Sequence, residues 1–314
     1  MPWTPIVDGH ADTLCRLQAE DRLLCERSQI GHSDLVRLLQ AGISLQVLAV
    51  CVEPNFPADA GLRRLVELMH LFDRSLLGRD DAFQILNKSD LERIAPGRVG
   101  FLLGLEGGAP LGGNPGILHQ MFRLGLRLLG LVWNNRNDLA DGVGVEDGRG
   151  LTDQGREIVV TAEDLGMVLD LAHLNRRGFW EVMEIVRQPP VVSHANAGAV
   201  CNHRRNLDDD QLRAVAARGG VIGINLYPPF LTDAPTASID DVLRHLGHML
   251  DIAGLESIAL GLDFDGIEAT PADLPDITAL PLLIAALPHL GLDETSRAAI
   301  LGRNWLRVFG QILP

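Results

Sequence analysis

Short apolar runs alternate with longer amphipathic stretches along the 314-residue chain. Eight runs carry strand-type patterning: Ile6–His10, Ile43–Cys51, Val99–Glu106, Leu126–Trp133, Met167–His173, Val191–His194, Val221–Leu226 and Ile258–Asp263. Several are almost continuously hydrophobic, as a parallel strand is when layers cover both of its faces. Between them, Ala60–Leu77, Thr152–Leu165, Arg177–Val186, Asp208–Arg218 and Asp240–Ala253 repeat apolar residues at helical spacing. Asp208 and Asp240 stand where helices start, and Gly219 and Gly254 where they stop. An eightfold strand–helix alternation implies parallel strands, right-handed crossovers and closure. The expected fold is therefore α/β, a (β/α)8 barrel of the TIM type, forming one domain over residues 1–314. An open doubly wound sheet is the alternative, but no G-x-G-x-x-G follows the first strand.

Three irregular segments, Gly107–Pro115, Asn134–Leu151 and Tyr227–Ile239, each follow a predicted strand directly. That places them on the C-terminal rim, where barrels of this kind keep their active sites. Composition narrows the partners. With 27 Lys+Arg against 41 Asp+Glu the formal charge is −14, which opposes binding to nucleic acid or to an anionic membrane surface. No apolar run is long enough to span a bilayer, and MPWTPIVDGH has no basic segment followed by an apolar one, so a soluble cytoplasmic protein is expected. Cys15, Cys25, Cys51 and Cys201 make neither a C-x-x-C pair nor a disulfide framework and read as reduced thiols.

The candidate chemistry lies at the strand ends. The first strand closes in Asp8-Gly9-His10-Ala11-Asp12, and positions two apart on a strand face the same way, so His10 and Asp12 present an imidazole and a carboxylate together. Alone, H-x-D is more often structural than ligating. Four other strands change that picture. Glu106 ends GFLLGLE after a run without charge, a costly place for a carboxylate unless it is paired or binds a cation. His173 ends MVLDLAH, His194 ends PVVSH and Asp263 ends IALGLD. Each residue alone has a bland explanation, a core histidine or a helix-capping carboxylate, but such residues from five strands at one rim of one barrel do not. Three histidines and two carboxylates exceed the ligand set of a single catalytic zinc. They suit two ions sharing a hydroxide, with one carboxylate bridging, and leave Asp263 free to transfer protons. Asp8 and Asp170, inside their strands, are expected to orient metal-bound imidazoles, and Asp265 either supports the site or turns its loop. His32, His70, His119, His245, His248 and His289 lie away from strand ends. His245 and His248 share a helix face without a third ligand, so no metal role is expected for them.

The stretches VDGHAD, GLEGG, LDLAH, VVSHANAGAVCNHRRN with LDDD following, GLDFDG and the late NWLRVF resemble the membrane (renal) dipeptidase family of zinc peptidases, among the amidohydrolase-like barrels. The first five run in the family's order from residue 7 to 266, so the resemblance covers nearly the whole chain. It implies two Zn2+ ions: one on His10, Asp12 and Glu106, the other on Glu106, His173 and His194, with Glu106 as the bridge. It implies that Arg205 grips the C-terminal carboxylate of the substrate, a task that a guanidinium performs bidentately. Without the resemblance, Arg205 reads as a surface arginine. Asp263 matches the family's acid/base carboxylate.

One departure stands out. The family typically carries L-T-H-x-x-x-N after the fourth strand, where this chain has LVWNNRN, so Trp133 occupies the place of a histidine that holds the substrate carbonyl. Trp133 then either lines the substrate site or packs in the core, and Asn134 or Asn135 becomes a candidate for oxyanion stabilisation. The implied reaction is hydrolysis of the amide of a dipeptide, including L-Xaa-D-Xaa dipeptides, with a small dipeptide as partner and a homodimer left open. The rival readings are another amide hydrolase on the same two metals (a β-lactam or N-acyl-amino-acid hydrolase) and a non-catalytic metal-binding scaffold.

Overall fold

A computed structural model describes residues 3–52 and 58–314. Nine strands are present among them: β1 (Ile6–Ala11), β2 (Ile43–Cys51), β3 (Ala82–Gln84), β4 (Val99–Glu106), β5 (Leu126–Gly130), β6 (Val168–Asp170), β7 (Val191–Val192), β8 (Val221–Ile224) and β9 (Ile258–Leu260). Every pairing between them is parallel. β1 pairs with both β2 and β9, and β2 pairs directly with β4, so eight strands close into the expected barrel. The ninth, β3, is an addition that the sequence pattern does not reveal. It pairs with Val99–Phe101 at the start of β4, whereas β5 joins β4 only from Leu103 onward. β3 thus fills an edge that β5 begins too late to cover.

The helices match the sequence pattern to within a residue or two. Thr152, Asn175 and Asp208 cap their helices through side-chain oxygens, and Asp208 forms a reciprocal capping box with Gln211. The strands are shorter than their apolar runs. β5, β6, β7 and β9 leave the ladder before Trp133, His173, His194 and Asp263 respectively, so these four side chains sit on loops just beyond the rim.

The C-terminal helix, Asn304–Ile312, decides which end of the barrel is open. Its Trp305, Val308, Phe309 and Ile312 form one buried cluster with Val7, Val168, Val191 and Val221, which stand at or next to the starts of their strands. The helix therefore plugs the N-terminal end. Trp305 donates its indole N–H to the Leu260 carbonyl at 2.8 Å and lies against Gly9, where any Cβ would collide with its ring. Gly9 is thus the gap in the first strand that lets the plug seat directly beside His10. No described helix is long and apolar enough to cross a membrane.

Candidate metal centre and active site

The five ligand-type side chains and Asp263 converge at the C-terminal rim. His10 Nε2 lies 3.3 Å from Asp12 Oδ2, 3.7 Å from Glu106 Oε1 and 3.8 Å from Asp263 Oδ1. On the other side of Glu106, the same Oε1 lies 2.9 Å from His173 Nε2 and 3.7 Å from His194 Nε2. The two imidazole nitrogens are themselves 2.9 Å apart. Glu106 thus stands between two donor groups, His10–Asp12–Asp263 and His173–His194.

The hydrogen bonds behind the rings fix their tautomers. Asp170 Oδ2 accepts the Ser193 hydroxyl at 2.5 Å, so Ser193 Oγ is left to accept from His194 Nδ1–H at 2.7 Å. Asn134 Oδ1 accepts from His173 Nδ1–H at 2.8 Å. Both Nε2 atoms therefore carry lone pairs that point at one another and at a carboxylate oxygen. Burial, with the Arg205 charge nearby, holds both histidines well below the usual imidazole pKa, in the neutral form that ligates metals. Lone pairs facing each other at that distance repel unless a cation lies between them. Asp12 Oδ1 is likewise buried without a hydrogen-bond partner. Burial opposes protonation of His10, but Glu106, Asp12 and Asp263 outweigh it and hold its pKa well above the ordinary value. The donor set fits divalent metal, with oxygen and imidazole ligands of the kind that bind zinc.

Backbone strain accompanies this arrangement. His173 (φ 66°) and Asp263 (φ 63°) adopt left-handed conformations that side chains other than glycine rarely take. Asp263 Oδ2 accepts from Asn225 Nδ2–H at 2.7 Å, which leaves Oδ1 turned toward His10. Burial is the largest influence on the Asp263 carboxyl and raises its pKa to about 7; the Asp12 charge adds to this, while His10, Asn225 and Arg205 oppose it. Gly266 is required beside it, because a Cβ there would strike both Asp12 Oδ2 and Asp263 Oδ1.

The remaining candidates fall around the same cleft, whose volume is about 420 Å3. Arg205 lines it and is 5% exposed, which excludes the surface reading; its guanidinium donates to the His194 carbonyl at 3.1 Å. Trp133 also lines the cleft and is 43% exposed, with its ring centroid 6.0 Å from that of His173, so it is not core packing. Asp170 orients the His194 ring through Ser193. Asp8 does not: its carboxylate accepts the backbone N–H groups of His10 and Leu262 and the Gln46 amide, and so ties the end of β1 to the segment after β9. Asp265 anchors its loop through the His32 N–H and the Arg22 guanidinium. His245 and His248 serve packing, the first between the Ala197 N–H and the Leu231 carbonyl, the second against Asp209. Sequence reasoning missed Ser193 and Asn225. Asn225 could have been found, since it ends the apolar run VIGIN in the way that Glu106 ends its own.

A family model described as membrane dipeptidase, peptidase family M19, matches residues 1–313. The chain belongs to this family. An uncharacterized dipeptidase of Schizosaccharomyces pombe is 32% identical over 97% of this chain and 80% of the yeast protein. Among solved structures, a metallopeptidase from Rhodobacter sphaeroides, liganded with a phosphinate mimic of the dipeptide L-Ala-D-Ala, superposes with a TM-score of 0.90 at 28% identity, covering 98% of this chain and 99% of that one. A dipeptidase of family M19 superposes with a TM-score of 0.91 at 29% identity, covering 99% of each chain. The chain is thus an enzyme of the M19 dipeptidase family, a group of metallopeptidases on the barrel described above.

Proposed function

We propose that this M19 enzyme hydrolyses dipeptides, L-Xaa-D-Xaa among them, with two zinc ions in the centre. His10, Asp12 and Glu106 hold one ion, Glu106, His173 and His194 hold the other, and Glu106 bridges them. The observation that carries this reading is the position of Glu106 Oε1, within 3.7 Å of the Nε2 atoms of His10, His173 and His194. The L-Ala-D-Ala mimic bound by the Rhodobacter metallopeptidase supports the choice of substrate.

When bound, such ions polarise the scissile carbonyl and make water acidic enough to supply hydroxide near neutral pH. The chain's own residues do the rest. Asp263 keeps Oδ2 on Asn225 and uses Oδ1 to take the proton of the attacking water, then delivers it to the leaving amine nitrogen. A carboxyl pKa near 7 suits a group that must act first as base and then as acid. Arg205, desolvated in the cleft wall, binds the substrate's C-terminal carboxylate with charge-assisted hydrogen bonds and so limits substrate length. Trp133 forms the wall on the N-terminal side of the scissile bond. Its indole N–H is a donor that does not titrate, unlike an imidazole. Asn134 is engaged by His173 and acts as a positioning residue. Four cysteines without a disulfide support a cytoplasmic location.

The test is a panel of L,L and L,D dipeptides, dipeptide amides, N-acyl amino acids and a β-lactam, assayed on zinc-loaded enzyme. Free dipeptides should be turned over fastest. Preference for an N-acyl amino acid or a β-lactam would replace the dipeptidase reading with a different amide hydrolase on the same centre.

A further inference from the structure

Two thiols stand beside the centre without a part in the reaction above. Cys15 lies on the one-turn helix Thr13–Arg16, three residues after Asp12, so the two side chains meet on one helix face. Cys51 ends β2 opposite Glu106 in the β2–β4 register, and paired residues of parallel strands point to the same face. Fold and register thus bring Asp12, Cys15 and Cys51 together, with a carboxylate oxygen and both Sγ atoms within 4.8 Å of one another. The Cys51 backbone N–H donates to Cys15 Sγ at 2.9 Å, and the Cys15 thiol donates in turn to the Ala49 carbonyl at 3.3 Å. Both cysteines line the open cleft, so an ion reaches them from solvent. Asp12 Oδ1 is buried and unpartnered.

We propose that Asp12, Cys15 and Cys51 form an accessory site for a thiophilic d10 cation such as Cd2+, Cu+ or surplus Zn2+, separate from the histidine-bound ions. Two sulfurs and one carboxylate oxygen make a soft donor set, and such sets select these cations over Mg2+ or Ca2+. Each thiol releases its proton to solvent as its sulfur–metal bond forms, and no electron transfer is involved. Because Asp12 also serves the catalytic centre, an ion at this site draws on a ligand that catalysis needs. The enzyme is therefore inhibited by thiophilic cations added beyond its resident metal.

Zinc-loaded protein, kept reduced with a phosphine, is equilibrated with Cd2+; bound metals are counted and the ultraviolet sulfur-to-cadmium charge-transfer band is recorded. Wild type should hold one ion per chain more than C15S/C51S, and the band should be missing from that variant. Because Asp12 is shared with the resident centre, the band, which requires a sulfur–cadmium bond, is the deciding readout. An equal band in both proteins would overturn the proposal and assign the sulfur binding to Cys25 or Cys201. Should the double variant not fold, alkylation of wild type by iodoacetamide with peptide mapping decides. Cd2+ should protect Cys15 and Cys51 and leave Cys25 labelled as before, whereas unchanged labelling of Cys15 and Cys51 sinks the site.

Discussion

His173 and His194 face one another through Nε2 atoms 2.9 Å apart, and the hydrogen bonds behind each ring put its proton on the far nitrogen. Asn134 does this for one ring and the Ser193–Asp170 pair for the other. Burial, with the Asp12 charge nearby, raises the Glu106 carboxyl pKa well above its ordinary value, so two neutral imidazoles and this carboxyl group form a cluster that a bound cation would stabilise. A metal bound here would couple to folding, because the groups it holds are brought together only in the fold.

Stripping the metal with a chelator should therefore abolish turnover and lower the melting temperature, with both restored by zinc. An ion present at 1,000 times its dissociation constant stabilises the fold by about 4 kcal/mol. Glu106→Gln should weaken both ions together, since one oxygen neighbours both donor groups. Elemental analysis at saturating zinc that gives no more than one ion per chain for wild type would reject the bridging role.

Asp263→Asn should retain the metal and lose turnover by on the order of 10²-fold or more. The partner residue provides a finer test. The Asn225 amide favours the charged form of Asp263, so Asn225→Ala should raise the carboxyl pKa further above its ordinary value. The base must be ionised to act, so the acidic limb of the kcat/KM profile should move to higher pH. A limb that stays in place in Asn225→Ala means that another group sets it.

Much of this was legible in the chain. The eight barrel strands and the long helices followed from hydrophobic period, and Glu106 stood out as a lone charge ending an apolar strand. What periodicity could not supply was the last few ångströms. β3 is three residues long, too short to leave a pattern. The turn of His173 and Asp263 into left-handed conformations, each three residues beyond its strand, has no period at all. Ser193 was passed over because a serine beside a histidine is unremarkable until Asp170 is seen behind it. Asp8 was misread for the converse reason: a carboxylate near a ligand histidine suggests a bond to the ring, and here it goes to the backbone.

Arg205→Ala tests recognition of the C-terminal carboxylate. Wild type should cleave free dipeptides and largely refuse their C-terminal amides, and the variant should narrow that gap by about 1.5–3 kcal/mol in kcat/KM, as expected for a charge-assisted bond. Equal kcat/KM for a dipeptide and its amide in wild type would remove Arg205 from this role.

His245 gives a prediction that does not depend on the reaction. It is fully buried, accepts the Ala197 N–H at Nδ1 and donates from Nε2 to the Leu231 carbonyl, and burial lowers its pKa to about 4. The unfolded chain binds a proton near pH 6.5 and the folded one only near 4, so the unfolded state takes up more protons between these values. The stability owed to neutral His245 is complete above pH 6.5 and declines as pH falls toward 4, by about 3 kcal/mol in all. Denaturant unfolding of metal-free protein across this window should show a shallower decline in His245→Asn, which keeps an acceptor for Ala197 but cannot take up the proton. Identical slopes for the two proteins would mean that the ring is protonated in the fold.

Trp133 stands where the resembled motif has a histidine, and its setting makes a substitution there informative. The ring is part of the cleft wall and lies beside His173, with no load from core packing. Trp133→Phe keeps an aromatic face and removes the indole N–H, so it separates shape from hydrogen bonding. Thermal stability should change little, because Phe keeps most of the aromatic face that Trp133, 43% exposed, buries. If the indole N–H meets the substrate, kcat/KM should fall several-fold for dipeptides, by the roughly 0.5–1.5 kcal/mol of a neutral hydrogen bond. Trp133→His restores the residue typical of the family and adds a group that titrates near neutral pH. Its rate profile should gain a pH dependence that wild type lacks. Unaltered kinetics in Trp133→Phe together with a clear loss of melting temperature would make Trp133 a structural residue and leave the wall of the substrate site to Tyr227 and Phe230, which line the same cleft.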